Sequence, residues 1–277
     1  MTFIIKKAVQ NGGNTKNSRK GNKMEMLSVV VPTFNEKGNV ENLVKQIGDA
    51  LKGIEYEIVF IDDSTDETPE VLQKLSEEND RVRYEHRVNE SGLATAVIRG
   101  FRIAKGDFLA CMDADLQHPP AILRPMYAAL RSGADFCIPS RLIPGGDDGG
   151  LNWYRKFVSG TARWIGKIAL PCLRKVSDPT SGLFMFRKEC IANADLRPVG
   201  WKIMIEVLAM SEYSSIIEIP YAFQNRTSGE SKLSSKVTMQ YLQQVLALIF
   251  RASKRGGITV TRWTNSYTEN MVKKFIG

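Results

Sequence analysis

The sequence predicts an α/β protein in which helices cover both faces of a mostly parallel sheet, followed by a C-terminal amphipathic helix. Three observations predict this fold. Short strand-like runs recur along residues 27–140, apolar residues at helical spacing fill the intervals between them, and polar segments follow several of the runs. Strands that alternate with helices in this way form parallel sheets with helices on both faces.

The first half of the chain supplies five predicted strands and four predicted helices. The strands are short runs bounded by polar or proline residues, namely 27–31, 57–61, 81–85, 107–112 and 135–140. The helices, read from apolar spacing, are 39–51, one that begins near 65–66, 92–105 and one that follows Pro119-Pro120. Ligands of parallel sheets bind at the carboxyl ends of strands, so the polar segments after these strands form the candidate site.

The second half of the chain breaks the regular alternation. Residues 142–150 are rich in Gly and Asp and are predicted as a loop. The remaining predicted elements are a helix at 153–170, a strand at 183–187, a helix near 201–212, a strand at 216–220 and a helix at 236–250. The predicted domains are a disordered basic tail over 1–26, one α/β domain over 27–232, and an amphipathic interfacial helix with a basic tail over 233–277.

Composition and charge exclude several classes of protein. Hydrophobic residues make up 43% and charged residues 25% of the 277 residues, which excludes a wholly disordered or collagen-like chain. The four cysteines stand far apart without a CxxC pair, which argues against a zinc site or a disulfide framework. The net charge of +8 is unevenly distributed, because residues 1–26 sum to +5, residues 232–277 to +7 and residues 27–231 to −4. The chain therefore lacks the basic stripe of a nucleic-acid domain, and no nucleic-acid partner is expected.

The most informative motif follows the fourth predicted strand. Asp113 and Asp115 stand two residues apart at the end of an apolar run, and Gln117 adds a third oxygen. Two carboxylates at such a place repel each other unless a cation neutralises them, and Mg²⁺ and Mn²⁺ prefer oxygen ligands completed by substrate phosphates. The pair predicts a divalent metal site, and the alternative is a pair of helix-capping aspartates before Pro119.

Three further polar segments are candidates for a nucleotide pocket. Residues 32–36 and 62–66 follow the first two strands, and their carboxylates and aromatic ring suit a base and a ribose. Loop capping explains either segment better when it is considered alone, whereas three polar segments at one rim favour a nucleotide pocket. Residues 225–232 place Arg226 and Lys232 six apart in a polar loop with a glycine. Such a loop suits a diphosphate, and an exposed charged loop is the alternative.

Together these motifs resemble glycosyltransferase family 2 with the GT-A fold, and within it the polyprenol-phosphate (dolichol-phosphate) mannosyltransferase group. The resemblance runs from about Leu27 to about Ser235. It rests on the motifs VVVPTFNE, IDDSTDET, GLATAVIRGF, MDADLQHPP, PSR, DPTSGLF, GWKIMIE and NRTSGESK.

The resemblance implies a role for each matched residue. The residues that match the nucleotide pocket are Pro32, Phe34, Glu36, Ile61 and Asp63. Those that match the metal and sugar-nucleotide site are Asp113, Ala114, Asp115 and Gln117. Those that match the cations over the diphosphate are Arg226 and Lys232, and those that match the pair holding the acceptor phosphate are Arg141 and Arg155. Phe34 stands where the family commonly has tyrosine, so a hydroxyl contact is lost.

The activity that the resemblance implies is an inverting, metal-dependent hexosyl transfer from a nucleoside-diphosphate sugar to a polyprenyl or dolichyl phosphate. GDP-mannose is the first expected donor and UDP-glucose the second, and Mg²⁺ or Mn²⁺ neutralises the leaving diphosphate. The acceptor phosphate is already anionic near pH 7, so no strong general base is expected and His118 is predicted to be structural. Asp113, Asp115, Arg141 and Arg155 are the predicted catalytic residues.

Other functions fit parts of the sequence. One is a family-2 transferase with a sugar or cell-wall acceptor, and another is a non-catalytic binder of sugar nucleotides or nucleic acid. A nucleotide-sugar pyrophosphorylase is a third, but the chain lacks a Gly-rich basic loop after the first strand.

A lipid acceptor requires contact with a membrane, yet no run approaches the roughly 18 apolar residues that span a bilayer. Residues 151–170 and 236–250 are amphipathic and flanked by basic residues, so we expect interfacial helices; the alternative is that both pack as core helices. Their apolar residues are Trp153, Trp164, Ile165, Leu242, Val245, Leu246, Ile249 and Phe250. The amino terminus is a poor signal peptide, so the expected location is cytoplasmic, peripheral on the inner face of the membrane.

Overall fold

The computed structural model describes residues 25–150, 153–224, 235–252 and 257–277. Within these ranges the strands are β1 Leu27–Thr33, β2 Tyr56–Asp62, β3 Val82–His86, β4 Phe108–Cys111, β5 Phe136–Ser140, β6 Phe184–Arg187, β7 Ser215–Pro220 and β8 Thr259–Arg262. The α-helices are α1 Val40–Ala50, α2 Thr68–Glu78, α3 Leu93–Ile103, α4 Leu123–Arg131, α5 Trp153–Ala169, α6 Ile203–Met210, α7 Ser235–Arg251 and α8 Asn265–Phe275.

The strands form one sheet in the order β3-β2-β1-β4-β6-β5-β7-β8. Every pairing is parallel except those of β6, which runs antiparallel to both neighbours, β4 and β5. The predicted mostly parallel sheet is confirmed. Because β6 is reversed, the segment that precedes it lies at the edge where β1, β2, β4 and β5 end, and this edge carries the candidate site.

Helices cover both faces of the sheet, as the sequence predicts. Along β1, Val29 and Val31 join the core beneath α1, α2, α4 and α8, whereas Val30 joins the core beneath α3, α5, α6 and α7. This alternation follows from the two-residue side-chain period of a strand. Both cores are apolar, which explains why the central strands contain almost uninterrupted aliphatic residues.

The C-terminal segment contributes more to the fold than the predicted basic tail implies. After α7, residues 257–277 add β8 beside β7, and α8 packs against α4. Trp263 is buried in the core between them, and the buried Glu218 of β7 accepts a hydrogen bond from Arg262 Nε at 3.0 Å. The sequence signal for β8 is weak because this four-residue edge strand exposes most of its side chains.

Candidate active site

A cavity of about 930 Å³ opens at the carboxyl edge of the sheet, in front of β1, β2 and β4. It is lined by the loops after these three strands, the start of α3, the segment before β6 and the segment before α6. The predicted site residues that line it are Pro32, Phe34, Glu36, Asp63, Asp113, Ala114, Asp115 and Gln117. Residues far apart in the chain are thus brought to one wall, as expected for loops that leave parallel strands.

Four other predicted site residues lie elsewhere or beyond the described atoms. Ile61 is fully buried in the core on the α3 face and does not line the cavity. Arg155 belongs to α5, but its side chain lies outside the described part of the structure. Arg226 and Lys232 both lie outside the described residues.

Asp62, the last residue of β2, fixes the loops that follow β1 and β2 at the cavity. Its buried carboxylate accepts hydrogen bonds from Thr33 Oγ1 at 2.7 Å and Ser64 Oγ at 2.6 Å, and His86 Nδ1 lies 2.7 Å from it. Ser64 Oγ in turn accepts from the backbone N–H of Asn35, which holds a left-handed conformation with φ of 59°. Asp62 therefore joins β1, β2 and β3 beneath the cavity, a role that sequence reasoning missed.

Asp63 is held by an arginine that the sequence did not single out. Arg87 donates from Nε and Nη2 to the two oxygens of Asp63 at 2.7 and 2.6 Å, and both side chains are only 6% exposed. The backbone N–H of Gly92 also donates to Asp63, at 2.7 Å. Gly92 has a φ of 125°, which glycine adopts readily and other residues rarely do. Asp63 is therefore a rigid carboxylate at the cavity wall.

The loop after β4 presents the predicted metal ligands. Asp113, Asp115 and Gln117 all line the cavity, and the carboxylate of Asp115 accepts the backbone N–H of Gln117 at 3.1 Å. Leu116 between them holds a left-handed φ of 59°, which costs energy for a leucine and turns the chain sharply. Facing this loop, a Cβ on Gly182 would lie 2.3 Å from Asp113 Oδ2, so only glycine allows this approach.

The oxygen atoms of this loop suit a hard divalent cation. The described residues contain no group of three or more His, Cys, Asp or Glu side chains arranged to hold a metal. Two carboxylates and one amide leave most coordination positions to water and substrate phosphates, which is how Mg²⁺ and Mn²⁺ are commonly bound at phosphate sites. The donor set of Asp113, Asp115 and Gln117 fits such an ion.

Arg141 lies beside the cavity without lining it. Its guanidinium is 3.3 Å from Asp178 Oδ2, stacks over the ring of Phe223 with 4.9 Å to the centroid, and has a side chain 14% exposed. Asp178 also accepts a hydrogen bond from Thr180 Oγ1 at 2.9 Å. Arg141, the predicted acceptor-phosphate arginine, directly follows β5 and is fixed there by the buried carboxylate of Asp178.

Lys202 and Trp201 line the cavity from the segment before α6, and sequence reasoning did not assign either a role. Lys202 Nζ donates to the carbonyl oxygen of Thr180 at 2.9 Å. Burial lowers the pKa of the Lys202 ammonium, while the charges of Asp178 and Asp113 raise it in part. The motif GWKIMIE contains both residues, so the lysine of that motif was the feature of the sequence that could have indicated a cation at the cavity.

His118 is buried behind the loop of residues 113–117 that follows β4. Its ring stacks against Tyr221 and meets Phe223 edge to face. Burial lowers the pKa of His118 to about 4, partly offset by Asp115, so the imidazole is neutral at pH 7. This geometry agrees with the prediction that His118 is structural.

Two helices near the site expose apolar side chains to solvent. On α5, Trp164 is 69% exposed and Ile168 is also exposed; on α7, Leu246 and Phe250 are exposed, Phe250 by 87%. The opposite face of α7 is buried, including Val245, and the hydroxyl of Tyr241 donates to the carbonyl of Ala162 in α5. These helices therefore pack on the body and still present an apolar surface. Among the described residues, no helix has the length and hydropathy to cross a membrane.

Comparison with known proteins agrees with this geometry. Residues 28–193 match glycosyl transferase family 2. The chain is 44% identical over 224 residues to the dolichol-phosphate mannosyltransferase of Pyrococcus furiosus, which covers 80% of this chain and 63% of that protein. It is 39% identical over 252 residues to the dolichol-phosphate mannosyltransferase of Saccharomyces cerevisiae, which covers 86% of this chain and 92% of that protein. The chain thus spans less than two thirds of the Pyrococcus protein and most of the yeast protein.

A solved structure shows the same fold. The glucosyl-3-phosphoglycerate synthase of Mycobacterium tuberculosis, in complex with Mn²⁺, UDP-glucose and phosphoglyceric acid, superposes with a TM-score of 0.62. The match covers 85% of this chain and 87% of that chain at 18% identity. The predicted GT-A fold is confirmed.

Proposed function

Because the chain belongs to glycosyl transferase family 2, we propose that it transfers mannose from GDP-mannose to a polyprenyl or dolichyl phosphate, with inversion at the anomeric carbon. The single observation that carries the proposal is the cavity whose wall joins Phe34 and Asp63 to Asp113 and Asp115. Relatives named dolichol-phosphate mannosyltransferase support both the sugar and the lipid acceptor.

The nucleotide is proposed to lie against the loops after β1 and β2. The half-exposed ring of Phe34 offers a surface for the base, and Asp63 offers a carboxylate to its N–H groups or to the ribose. Arg87 and Asp62 lie behind these loops and keep the loops from rearranging. Preorganised contacts of this kind position the donor without further ordering when it binds.

The proposed metal ligands are Asp113, Asp115 and Gln117, and a Mg²⁺ or Mn²⁺ ion held there would neutralise charge on the leaving diphosphate. Asp115 is fixed through the N–H of Gln117, and Gly182 admits Asp113 close to the segment before β6. Arg226 and Lys232 are proposed to add positive charge over the same diphosphate.

The acceptor phosphate is proposed to bind Arg141 and Arg155. Asp178 and the ring of Phe223 hold Arg141 in place, so its guanidinium is available as a fixed donor of two parallel hydrogen bonds. A phosphate monoester already carries negative charge near neutral pH, and it attacks once it is aligned opposite the leaving group. Alignment by fixed cations thus replaces a general base.

The acceptor's hydrocarbon chain requires a membrane surface, and we propose that α5 and α7 meet it. Trp164 and Phe250 are exposed aromatic residues on these helices, and Arg163, Lys167 and Arg251 stand near them in the sequence. An apolar face bordered by basic residues binds the interface of anionic bilayers. The protein is accordingly proposed to be peripheral.

A donor panel tests the proposed activity. The full chain is incubated with labelled GDP- and UDP-sugars, a short polyprenyl phosphate and Mn²⁺, and label that enters the organic phase is counted. We expect extraction of label from GDP-mannose. If only UDP-glucose gives extractable label, the donor is UDP-glucose and the proposed mannose and guanine are wrong. If label enters only an added glycan, the proposed lipid acceptor is wrong.

A further inference from the structure

Lys202 is a partly buried cation at the cavity wall whose contacts leave its positive charge only partly matched. Its one described hydrogen bond is to the neutral carbonyl oxygen of Thr180, at 2.9 Å. The nearby carboxylates that act on it are Asp178, which also pairs with Arg141, and Asp113, which is a proposed metal ligand. A cation at a cavity wall that nearby carboxylates match only in part attracts a further anion, so this arrangement points to an anionic ligand.

A short turn connects Lys202 to Arg141. Asp178 Oδ2 lies 3.3 Å from Arg141 Nε, and Asp178 Oδ1 accepts the Thr180 hydroxyl at 2.9 Å, while the Thr180 carbonyl holds Lys202. Burial lowers the pKa of Lys202 most, and the charge of Arg141 lowers it further. Burial likewise lowers the pKa of His118 most, and the charges of Arg141 and Lys202 both lower it further. The two cations therefore occupy one neighbourhood, set by residues 178–180.

The topology places this neighbourhood away from the nucleotide side. Phe34 and Asp63 follow β1 and β2, whereas residues 178–180 precede β6, and β4 stands between β1 and β6 in the sheet. An anion bound by Lys202 and Arg141 would thus reach the loop of Asp113 from the opposite side to the base. Inversion requires the acceptor phosphate to attack from the side opposite the leaving diphosphate, and this placement allows that approach.

We propose that Lys202 is a second cation of the acceptor-phosphate site and shares that phosphate with Arg141. The inference rests on the proposed function in naming a lipid phosphate as the anion. Lys202 acts as a point charge on the phosphate, and Arg141 acts as an oriented fork of donors. The turn from Asp178 to Thr180 positions both.

Direct binding tests this assignment without requiring turnover. Binding of farnesyl phosphate and of farnesol to the full chain, with GDP and Mn²⁺ present, is measured by calorimetry for the wild type, Lys202→Met and Lys202→Arg. The matched control is Lys188→Met, because Lys188 Nζ likewise donates to one backbone carbonyl, that of Ala104, at 2.5 Å, in a part of the fold that does not line the cavity.

We expect Lys202→Met to weaken farnesyl phosphate binding about tenfold or more, with farnesol binding and GDP-mannose binding unchanged. Lys202→Arg should restore part of the affinity, and Lys188→Met should match the wild type. Wild-type affinity for farnesyl phosphate in Lys202→Met would overturn the inference, as would a loss confined to GDP-mannose.

This experiment distinguishes a failure of the proposed function from a failure of the role proposed for Lys202. If Lys202-dependent binding of farnesyl phosphate is present but the wild type transfers no sugar to it, the proposed function fails and the assignment of Lys202 stands. Retained GDP-mannose binding reports that Lys202→Met is folded, and Lys202→Arg supplies a second readout if the methionine variant does not fold.

Discussion

Gly182 sets how closely the segment before β6 approaches the Asp113 carboxylate. Because an added Cβ would lie 2.3 Å from Asp113 Oδ2, Gly182→Ala must displace the carboxylate or the segment. A shift of about 1 Å in a reacting group can lower a rate about 100-fold. We expect Gly182→Ala to lose roughly that much transfer while its melting temperature stays close to that of the wild type.

The same substitution at Gly160 is the control for this prediction. Gly160 lies in α5, where the nearest atom to an added Cβ is Arg163 Nη2 at 3.7 Å, an ordinary contact. Gly160→Ala should retain wild-type transfer. An active Gly182→Ala would show that the close approach to Asp113 has no role in the reaction.

The four cysteines differ in reactivity because three are buried. Burial raises the pKa of Cys190 to about 12 and raises those of Cys111 and Cys137 well above the ordinary value. The thiolate is the reactive form, so these three should be inert in the native state, whereas Cys172 is partly exposed. We predict that iodoacetamide at pH 8 labels only Cys172 in the native protein and all four in denaturant, as read by peptide mass spectrometry. Labelling of Cys111 in the native protein would contradict the burial of its side chain in the structure.

Individual site residues were predictable where the strand pattern located them. Asp113 and Asp115 end an apolar run, and their spacing predicts a cation site with helix capping as the alternative. The roles of Asp62, Arg87 and Lys202 were not predicted, because each depends on a contact with a residue more than 20 positions away. Arg87 directly follows the third strand at the same edge of the sheet, and that position was the signal available in the sequence.

The eighth strand and the last helix stabilise the whole sheet through Trp263. This side chain is buried in the core on the face of the sheet that α4 and α8 cover, although its neighbours in β8 are mostly exposed. Removing a large buried aromatic side chain costs about 3 kcal/mol or more in the free energy of unfolding. We expect Trp263→Ala to lower that free energy accordingly in urea denaturation.

Glu269→Ala is the control for Trp263→Ala. Glu269 is exposed on α8, and surface substitutions of this kind change the free energy of unfolding by less than about 0.5 kcal/mol. Equal stability of the Trp263→Ala variant and the wild type would show that β8 and α8 are not part of the cooperative fold.

The outer face of α7 supports the proposed membrane contact. Phe250 is among the most exposed apolar residues of the described chain, and moving such a side chain from water to an apolar environment contributes about 1.5 to 3 kcal/mol. We predict that Phe250→Ser lowers the partition of the protein onto anionic liposomes about tenfold in flotation at low salt.

Val88→Ser is the matched control, since Val88 is similarly exposed but follows β3 and belongs to neither α5 nor α7. It should float as the wild type does. An equal loss in both variants would mean that binding depends on general surface hydrophobicity and not on α7.

Secondary structure was predictable where residues are buried on a regular period. The central strands contain aliphatic runs because both faces are covered, and the inner face of α7 keeps helical spacing through Tyr241, Val245 and Leu248. The sequence could not distinguish an interfacial helix from a core helix, because α7 has one buried face and one exposed apolar face. It also missed β8, where short length and exposure leave little pattern.

The sheet order separates the proposed donor and acceptor regions. The nucleotide-side loops follow β1 and β2, the cations Arg141 and Lys202 lie near β5 and the start of β6, and the loop with Asp113 follows β4 between them. The reversal of β6 makes this arrangement possible, and no local sequence pattern indicated it, since strand direction depends on pairing across the whole sheet. The charge distribution adds basic ends to an acidic body, which suits an anionic surface.

The most direct measurement is the initial rate of label transfer from GDP-mannose to a polyprenyl phosphate, with Mn²⁺, by the wild type and by Asp113→Asn. Asparagine keeps the size of the side chain and removes one negative charge from the proposed metal ligands. We predict measurable transfer by the wild type, none after chelation with EDTA, and none above background in the variant. Wild-type turnover by Asp113→Asn would contradict the assignment of this loop as the metal site.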